Sequence, residues 1–271
     1  MKKKKLRNFS FDYQTSFFFI STLFLGFLIG VYLSNSQMKG ESILDQIMPY
    51  DKGSISYISQ SIDINRSSYS LKYDFRTKNP ICVYEKITSE NLEGFGNRSH
   101  IQFKEDFLIP KVFRTKIQDF IKSGFDRGHL APAANHKTNN SEMSETFYLS
   151  NICPQCPTFN RGFWLKLEKY VRSLAKSYKL EVYSGPIYSP YQDKNGKKYV
   201  KYEVIGKSNI AVPTHFYKVI VMTDKVGKKV IESFVLPNNN IPLDIPLEKF
   251  KVKIEQVENL AGLLFNSINK Y

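Results

Sequence analysis

The stretch Gly124-Phe125-Asp126-Arg127-Gly128-His129-Leu130-Ala131-Pro132-Ala133 holds side chains that could move a proton beside an anion. His129 offers an imidazole with an ordinary pKa of ~6.5, suited to taking a proton near neutral pH. Arg127, two residues earlier, presents a planar fork that can grip two phosphate oxygens at once. Gly128 between them is expected to let the backbone turn tightly. Asp126 is available to orient a ring or to pair with Arg127. A lone histidine among the four in the chain would more often be structural, but these neighbours favour chemistry.

A second stretch runs Tyr148-Leu149-Ser150-Asn151-Ile152-Cys153-Pro154-Gln155, then Asn160-Arg161-Gly162-Phe163-Trp164, then Leu167-Glu168. Taken singly, Asn160 at a helix start is an N-cap and Glu168 a solvated charge. Asn160, Trp164 and Glu168 are, however, successive i,i+4 positions. A regular α-helix would place them near one side, so the polar pair is expected to face one pocket.

The elements that must carry these residues are legible from periodicity. Ser54–Ser59, Tyr69–Phe75 and Ile81–Ile87 alternate and are rich in aromatic and β-branched residues, as strands are. Asn91–Arg98 reads as a loop, Thr115–Lys122 as a short helix ended by Gly124, and Phe147–Ser150 as a short strand. From Asn160 onward, Trp164, Leu167, Val171, Leu174 and Tyr178 recur at three- and four-residue steps, the period of one buried helical face. Leu180–Tyr183, Tyr199–Ile205, Phe216–Met222 and Val230–Leu236 read as strands, with Asn195-Gly196 as a hairpin turn and Ile254–Phe265 as a last amphipathic helix. Two batches of strands around a central helix predict an α+β fold with a mostly antiparallel sheet.

Together these segments resemble the DNA/RNA non-specific endonuclease family, the ββα-metal or His-Me finger nucleases, and within it the endonuclease G group. The resemblance covers about Tyr69 to Phe265. Its most specific marker is Asp126-Arg127-Gly128-His129, extended to Phe125–Ala134. Phe147–Asn160, Leu167-Glu168, and Gly196–Lys218 with its Val-Pro-Thr-His-Phe-Tyr-Lys run match as well. Cys153 departs from the pattern, where alanine is usual. The resemblance implies a ββα-metal fold, with a domain over residues 53–271 that cuts DNA and RNA. It implies His129 as general base and Asn160 as the protein ligand of a single Mg²⁺ or Mn²⁺. Glu168 would be an acid behind the metal that orients a water. Arg127 and Arg98, the latter ending the Gly94–Arg98 loop, would bind phosphate, while Asp126 and Asn151 would hold local geometry.

That set makes physical sense. Water is a poor nucleophile near neutral pH, so a base must take its proton. The departing 3′ oxygen gains charge, which a metal can stabilise, and Mg²⁺ accepts few protein ligands. Nothing in the set reads a base edge or a 2′-OH, so DNA and RNA would be cut alike, leaving 5′-phosphate ends as the resemblance implies.

Composition is compatible with this. In 271 residues, 39 Lys and Arg face 25 Asp and Glu, a net +14, which favours a polyanionic partner or an acidic membrane surface. Lys2–Lys5 and Arg7 precede an apolar run, Phe17–Leu33, so residues 1–36 read as a signal peptide or N-terminal membrane anchor and 37–52 as a linker. Residues 1–36 hold five basic residues and one acid, so +10 of the +14 stays with the body, and nucleic acid moves ahead of membrane as its partner. The segment predicts an exported domain, secreted, periplasmic or membrane-tethered. Cys82, Cys153 and Cys156 are too few for a disulfide framework, though Cys153 and Cys156 could pair. Whether the chain forms a homodimer stays open. The alternative function is a catalytically inactive nucleic-acid-binding protein at the membrane.

Overall fold

The computed structural model describes residues 59–265. The expected strand Ser54–Ser59, the linker and the N-terminal segment lie outside the described residues, apart from Ser59. No helix among the described residues is long and apolar enough to cross a membrane.

Seven strands form one antiparallel sheet: β1 (Ser61–Asn65), β2 (Tyr69–Asp74), β3 (Asn79–Ile87), β6 (Lys179–Ile187), β11 (His215–Thr223), β12 (Lys229–Pro237) and β13 (Lys251–Val252), in the order 1-2-3-6-11-12-13. Between β3 and β6 the chain leaves the sheet to build a separate hairpin, β4 (Asp126–His129) with β5 (Ile152–Gln155), bracketing the short helix α1 (Asn140–Glu145). A π-helical turn over Phe159–Trp164 then runs into α2 (Leu165–Leu174). Strand, strand, helix is the ββα unit expected from the sequence, within an α+β fold. Two-residue strands complete the list: β7 (Tyr191–Gln192) pairs with β8 (Lys198–Tyr199), and β9 (Val204–Ile205) with β10 (Ile210–Ala211). The C-terminal helix is α3 (Ile254–Ala261), ended by Gly262 at φ +67°, the left-handed conformation that a side chain disfavours.

The sheet is apolar on both faces, which explains why β11 reads as a nearly continuous hydrophobic run. Phe216, Ile220 and Met222 pack with Phe163, Trp164, Leu167 and Val171 of the π turn and α2. Tyr217, Val219 and Val221 alternate to the other face and meet Val257 of α3 and Phe265. The stripe from Trp164 to Leu174 is thus the buried face of the π turn and α2, while Tyr178, read as continuing it, lies past the helix end and packs on the same core.

Some expected elements are shorter or different. Phe147–Ser150 is not a strand: a 3-10 turn occupies Leu149–Asn151, because Asn151 must bend back to hold the chain after β4, and the strand starts at Ile152. Tyr199–Ile205 splits into the tips of two small hairpins, and Thr115–Lys122 shrinks to a 3-10 turn at Ile117–Phe120. The turn at Asn195-Gly196 is present, with Gly196 at φ +80°. Cys82, Cys153 and Cys156 are free thiols, Cys153 sealed in the core.

Candidate active site

The hairpin and the helix start enclose one cavity whose walls include Arg98, Phe103, Asp126, Arg127, His129, Asn160, Arg161, Glu168 and Arg172. Every expected chemistry-bearing residue is therefore brought together, Arg98 included. Asn151 stands behind the wall. Its Oδ1 accepts from the Ala131 N–H at 2.9 Å, and its Nδ2 donates to the Ala131 and Thr146 carbonyls, each at 2.9 Å. It clamps the chain two residues after His129, the supporting place the sequence suggested.

Gly128 does not make a turn. It sits mid-strand opposite Cys153, and a Cβ there would come within 2.1 Å of the Gln155 side chain. Close approach of the two strands demands the glycine. Asp126 also differs from expectation, touching neither Arg127 nor His129. Adjacent strand residues point to opposite faces, and its carboxylate faces the helix start. It accepts from Asn160 Nδ2 at 3.0 Å and from Arg161 Nε and Nη2 at 2.8 and 2.6 Å. Burial works to raise the Asp126 pKa, but the bonds from Arg161 and Asn160 outweigh it and hold the group ionised below the ordinary aspartate value. Arg161 was not singled out by the sequence; its contact follows only from where the helix meets β4.

Asn160 is not an N-cap. It is the second residue of the π turn, and its backbone N–H bonds to the Cys156 carbonyl at 2.8 Å. With its Nδ2 committed to Asp126, its Oδ1 is left as an acceptor at the cavity. Asn160 and Glu168 both line the cavity, while Trp164 between them belongs to the buried stripe. Trp164 is wholly buried, and its indole N–H donates to the His129 carbonyl at 3.2 Å.

His129 is clasped by two aromatic rings, Phe103 at 5.3 Å between centroids and Phe147 edge-on at 4.9 Å. Each ring also carries a guanidinium: Arg127 lies 4.4 Å over Phe103 and Arg98 5.9 Å over Phe147. The His129 Nε2 is buried without a hydrogen-bond partner, so Nδ1 is the ring nitrogen that can meet a ligand. Burial first, then the charges of Arg98 and Arg127, push its pKa down to about 3. The imidazole is neutral at pH 7 and ready to accept a proton. Phe103 and Phe147 could have been suspected only as core aromatics.

Behind the cavity lies a buried charge network that periodicity does not announce. Burial pushes the Glu168 pKa up to about 7, against the pull of Lys218 and Arg172, whose Nη1 lies 4.0 Å away. Glu85, fully buried on β3, accepts from His136 Nε2 at 2.9 Å and Asn135 Nδ2 at 3.1 Å. Lys218, 1% exposed on β11, hydrogen-bonds Ser184 and stands 4.7 Å over the Trp164 ring. Burial lowers its pKa, while Glu85 and Glu168 oppose that. Removing one member of a buried charge cluster leaves the others uncompensated, which typically costs ~3–5 kcal/mol. Lys218→Met is accordingly expected to lower the melting temperature by roughly 10 °C in a domain of this size, and adding Glu85→Gln should recover part of it. A thermal melt of Lys218→Met within about 2 °C of the parent would show that the network carries no such balance.

Comparison with known proteins gives a consistent result. The family model described as DNA/RNA non-specific endonuclease matches residues 50–269. Mitochondrial endonuclease G of Bos taurus is 47% identical over 202 residues, covering 74% of this chain and 68% of that protein. Nuclease C1 of Cunninghamella echinulata is 42% identical over 206 residues, 74% of this chain and 81% of its own length. The crystal structure titled as an EndoG/EndoGI complex superposes with a TM-score of 0.74 at 43% identity, covering 83% of this chain and 92% of that one.

Proposed function

This chain belongs to the DNA/RNA non-specific endonuclease family and is an endonuclease, and from that premise we propose that it hydrolyses phosphodiesters of DNA and RNA alike with His129 as general base and Asn160 as metal ligand. The observation that carries the reading is the pairing across one cavity of a neutral imidazole with an asparagine whose amide nitrogen is tied to Asp126. Each suits one role: a neutral imidazole that can take a proton, and an amide oxygen that can hold a cation.

The donor set fits a hard divalent cation. Among the described residues no group of three or more His, Cys, Asp or Glu could form a zinc-type cage. A single neutral amide oxygen in a polar cavity suits Mg²⁺ or Mn²⁺, which keep most of their waters. When bound, such an ion would stabilise the negative charge on the leaving 3′ oxygen. The remaining steps belong to the chain's own residues. Arg98 and Arg127 bind the non-bridging oxygens, and the phosphate they hold offsets the positive field that weakens His129 as a base. His129 Nδ1 takes the proton of the attacking water, a phosphorus–oxygen bond forms, and the bond to the 3′ oxygen breaks; that oxygen takes a proton from solvent water, leaving a 3′ hydroxyl and a 5′ phosphate. Glu168 would orient a water held by the bound ion from behind the site. Asp126, through Asn160 and Arg161, fixes the amide that faces the ion.

The test is digestion of supercoiled plasmid and of RNA with Mg²⁺ or Mn²⁺, with and without EDTA. Cutting of both, abolished by EDTA, is the expected result. A shift of DNA on a gel with no cutting under any metal would favour a binding protein instead. The family match at 50–269 supports a nuclease domain over 53–271. The basic and apolar residues 1–36 support delivery across a membrane, which a fusion to a reporter active only after export tests.

A further inference from the structure

Phe95 is the most exposed large apolar residue among those described, with 89% of its surface in water, which burial of apolar surface on folding does not explain. It lies in Glu93-Gly94-Phe95-Gly96-Asn97, the loop that leads into Arg98 on the cavity wall. This loop is tied down. The Gly96 N–H bonds to the Lys137 carbonyl at 2.9 Å, the Lys137 N–H to the Asn91 carbonyl at 3.0 Å, and the Asn97 N–H to Asn140 Oδ1 at 2.9 Å. Gly94, at φ +134°, lies so flat on the neighbouring chain that a Cβ would come within 2.4 Å of the Lys137 oxygen. A Cβ on Gly96 would come within 2.7 Å of Met143 Cε. The two glycines press the loop inward, and the phenyl ring between them is held outward.

The place of the loop ties it to the site. Met143 clusters with Ala133, which lines the cavity, and with Phe147, which touches His129. The loop thus packs against residues of the cavity wall, and Phe95 stands three residues, at most ~11 Å of chain, from Arg98, which lines the cavity.

We propose that Phe95 is a stacking platform for one unpaired nucleobase of the substrate strand, next to the phosphate held by Arg98 and Arg127. This deepens the nuclease reading and rests on it. A phosphate gripped by arginines leaves the adjacent base beside the rim, and a flat apolar ring there takes the face of any base, whatever its edge. In a duplex both faces of a base are covered by its neighbours, so the platform serves single strands and locally opened segments. Such a contact adds affinity without sequence preference, as a non-specific nuclease requires.

The test compares the full chain with Phe95→Ala and Phe95→Trp in EDTA. The probe is a single-stranded DNA oligonucleotide carrying 2-aminopurine, beside the same sequence as a duplex. Phe95→Ala should bind the single strand about 5- to 50-fold more weakly and lose the stacking quench of 2-aminopurine. Its duplex affinity should move less than about twofold, and Phe95→Trp should restore the quench. Equal single-strand affinity in Phe95→Ala, or equal losses on single strand and duplex, would overturn the platform. Failure of the parent to cut any phosphodiester with metal would instead remove the nuclease reading, and this inference with it.

Discussion

His129→Ala is expected to slow cleavage of plasmid and RNA by about 10²–10⁴-fold, the usual worth of a general base, while metal and nucleic-acid binding persist. The imidazole touches neither Asn160 nor Asp126 through a hydrogen bond, so its removal leaves the Asp126–Asn160–Arg161 assembly in place. The backbone carbonyl that holds the Trp164 indole also remains. The measurement is cleavage rate against Mg²⁺ concentration, with circular dichroism as the folding check. Raising the metal should not rescue this variant, because the missing function is proton acceptance. Recovery toward the parent rate at high Mg²⁺ would show that His129 acts through the metal site and not as the base.

Asn160→Ala should behave in the opposite way. It removes the amide oxygen proposed to hold the cation, and it also strips a hydrogen bond from the Asp126 carboxylate, which keeps Arg161. Loss of a sole protein ligand should weaken metal binding by at least the ~10–100-fold typical of changes one layer further out. Cleavage at low Mg²⁺ should fall by a comparable factor and recover in part as Mg²⁺ rises. Isothermal titration with Mn²⁺ measures the affinity directly. Unchanged metal affinity with a rate that metal cannot rescue would reassign Asn160 to substrate positioning. The two variants together separate base from ligand, since a misfolded protein would lose both properties at once.

Local pattern announced much of this site because strands and helices impose short periods. Asp126, Arg127 and His129 were recognisable as a group since four consecutive residues carried three functional types. The helical stripe from Trp164 to Val171 was recognisable since a buried face repeats every three to four residues. Where reading by period failed, a non-local contact or an irregular turn was the cause. Phe159–Trp164 forms a π turn and not the start of a regular α-helix, and no residue type in it signals i→i+5 bonding. Asp126 was assigned to its neighbours in the chain, whereas its partners Asn160 and Arg161 are more than thirty residues away.

The amino-acid sequence by itself determined the fold class and, through the family resemblance, the ββα unit and six of the residues meeting at the cavity, though not Phe103, Arg161 or Arg172. Hydrophobic period and motif spacing are properties of the chain before it folds. Only the tertiary structure decided how those residues are wired. It tied Asn160 to Asp126, turned Gly128 from a turn residue into a point of strand contact, and set His129 between Phe103 and Phe147. It also buried Lys218 among the carboxylates of Glu85 and Glu168. Each of these depends on where separate segments come to rest, and so on packing and desolvation, which no local spacing encodes.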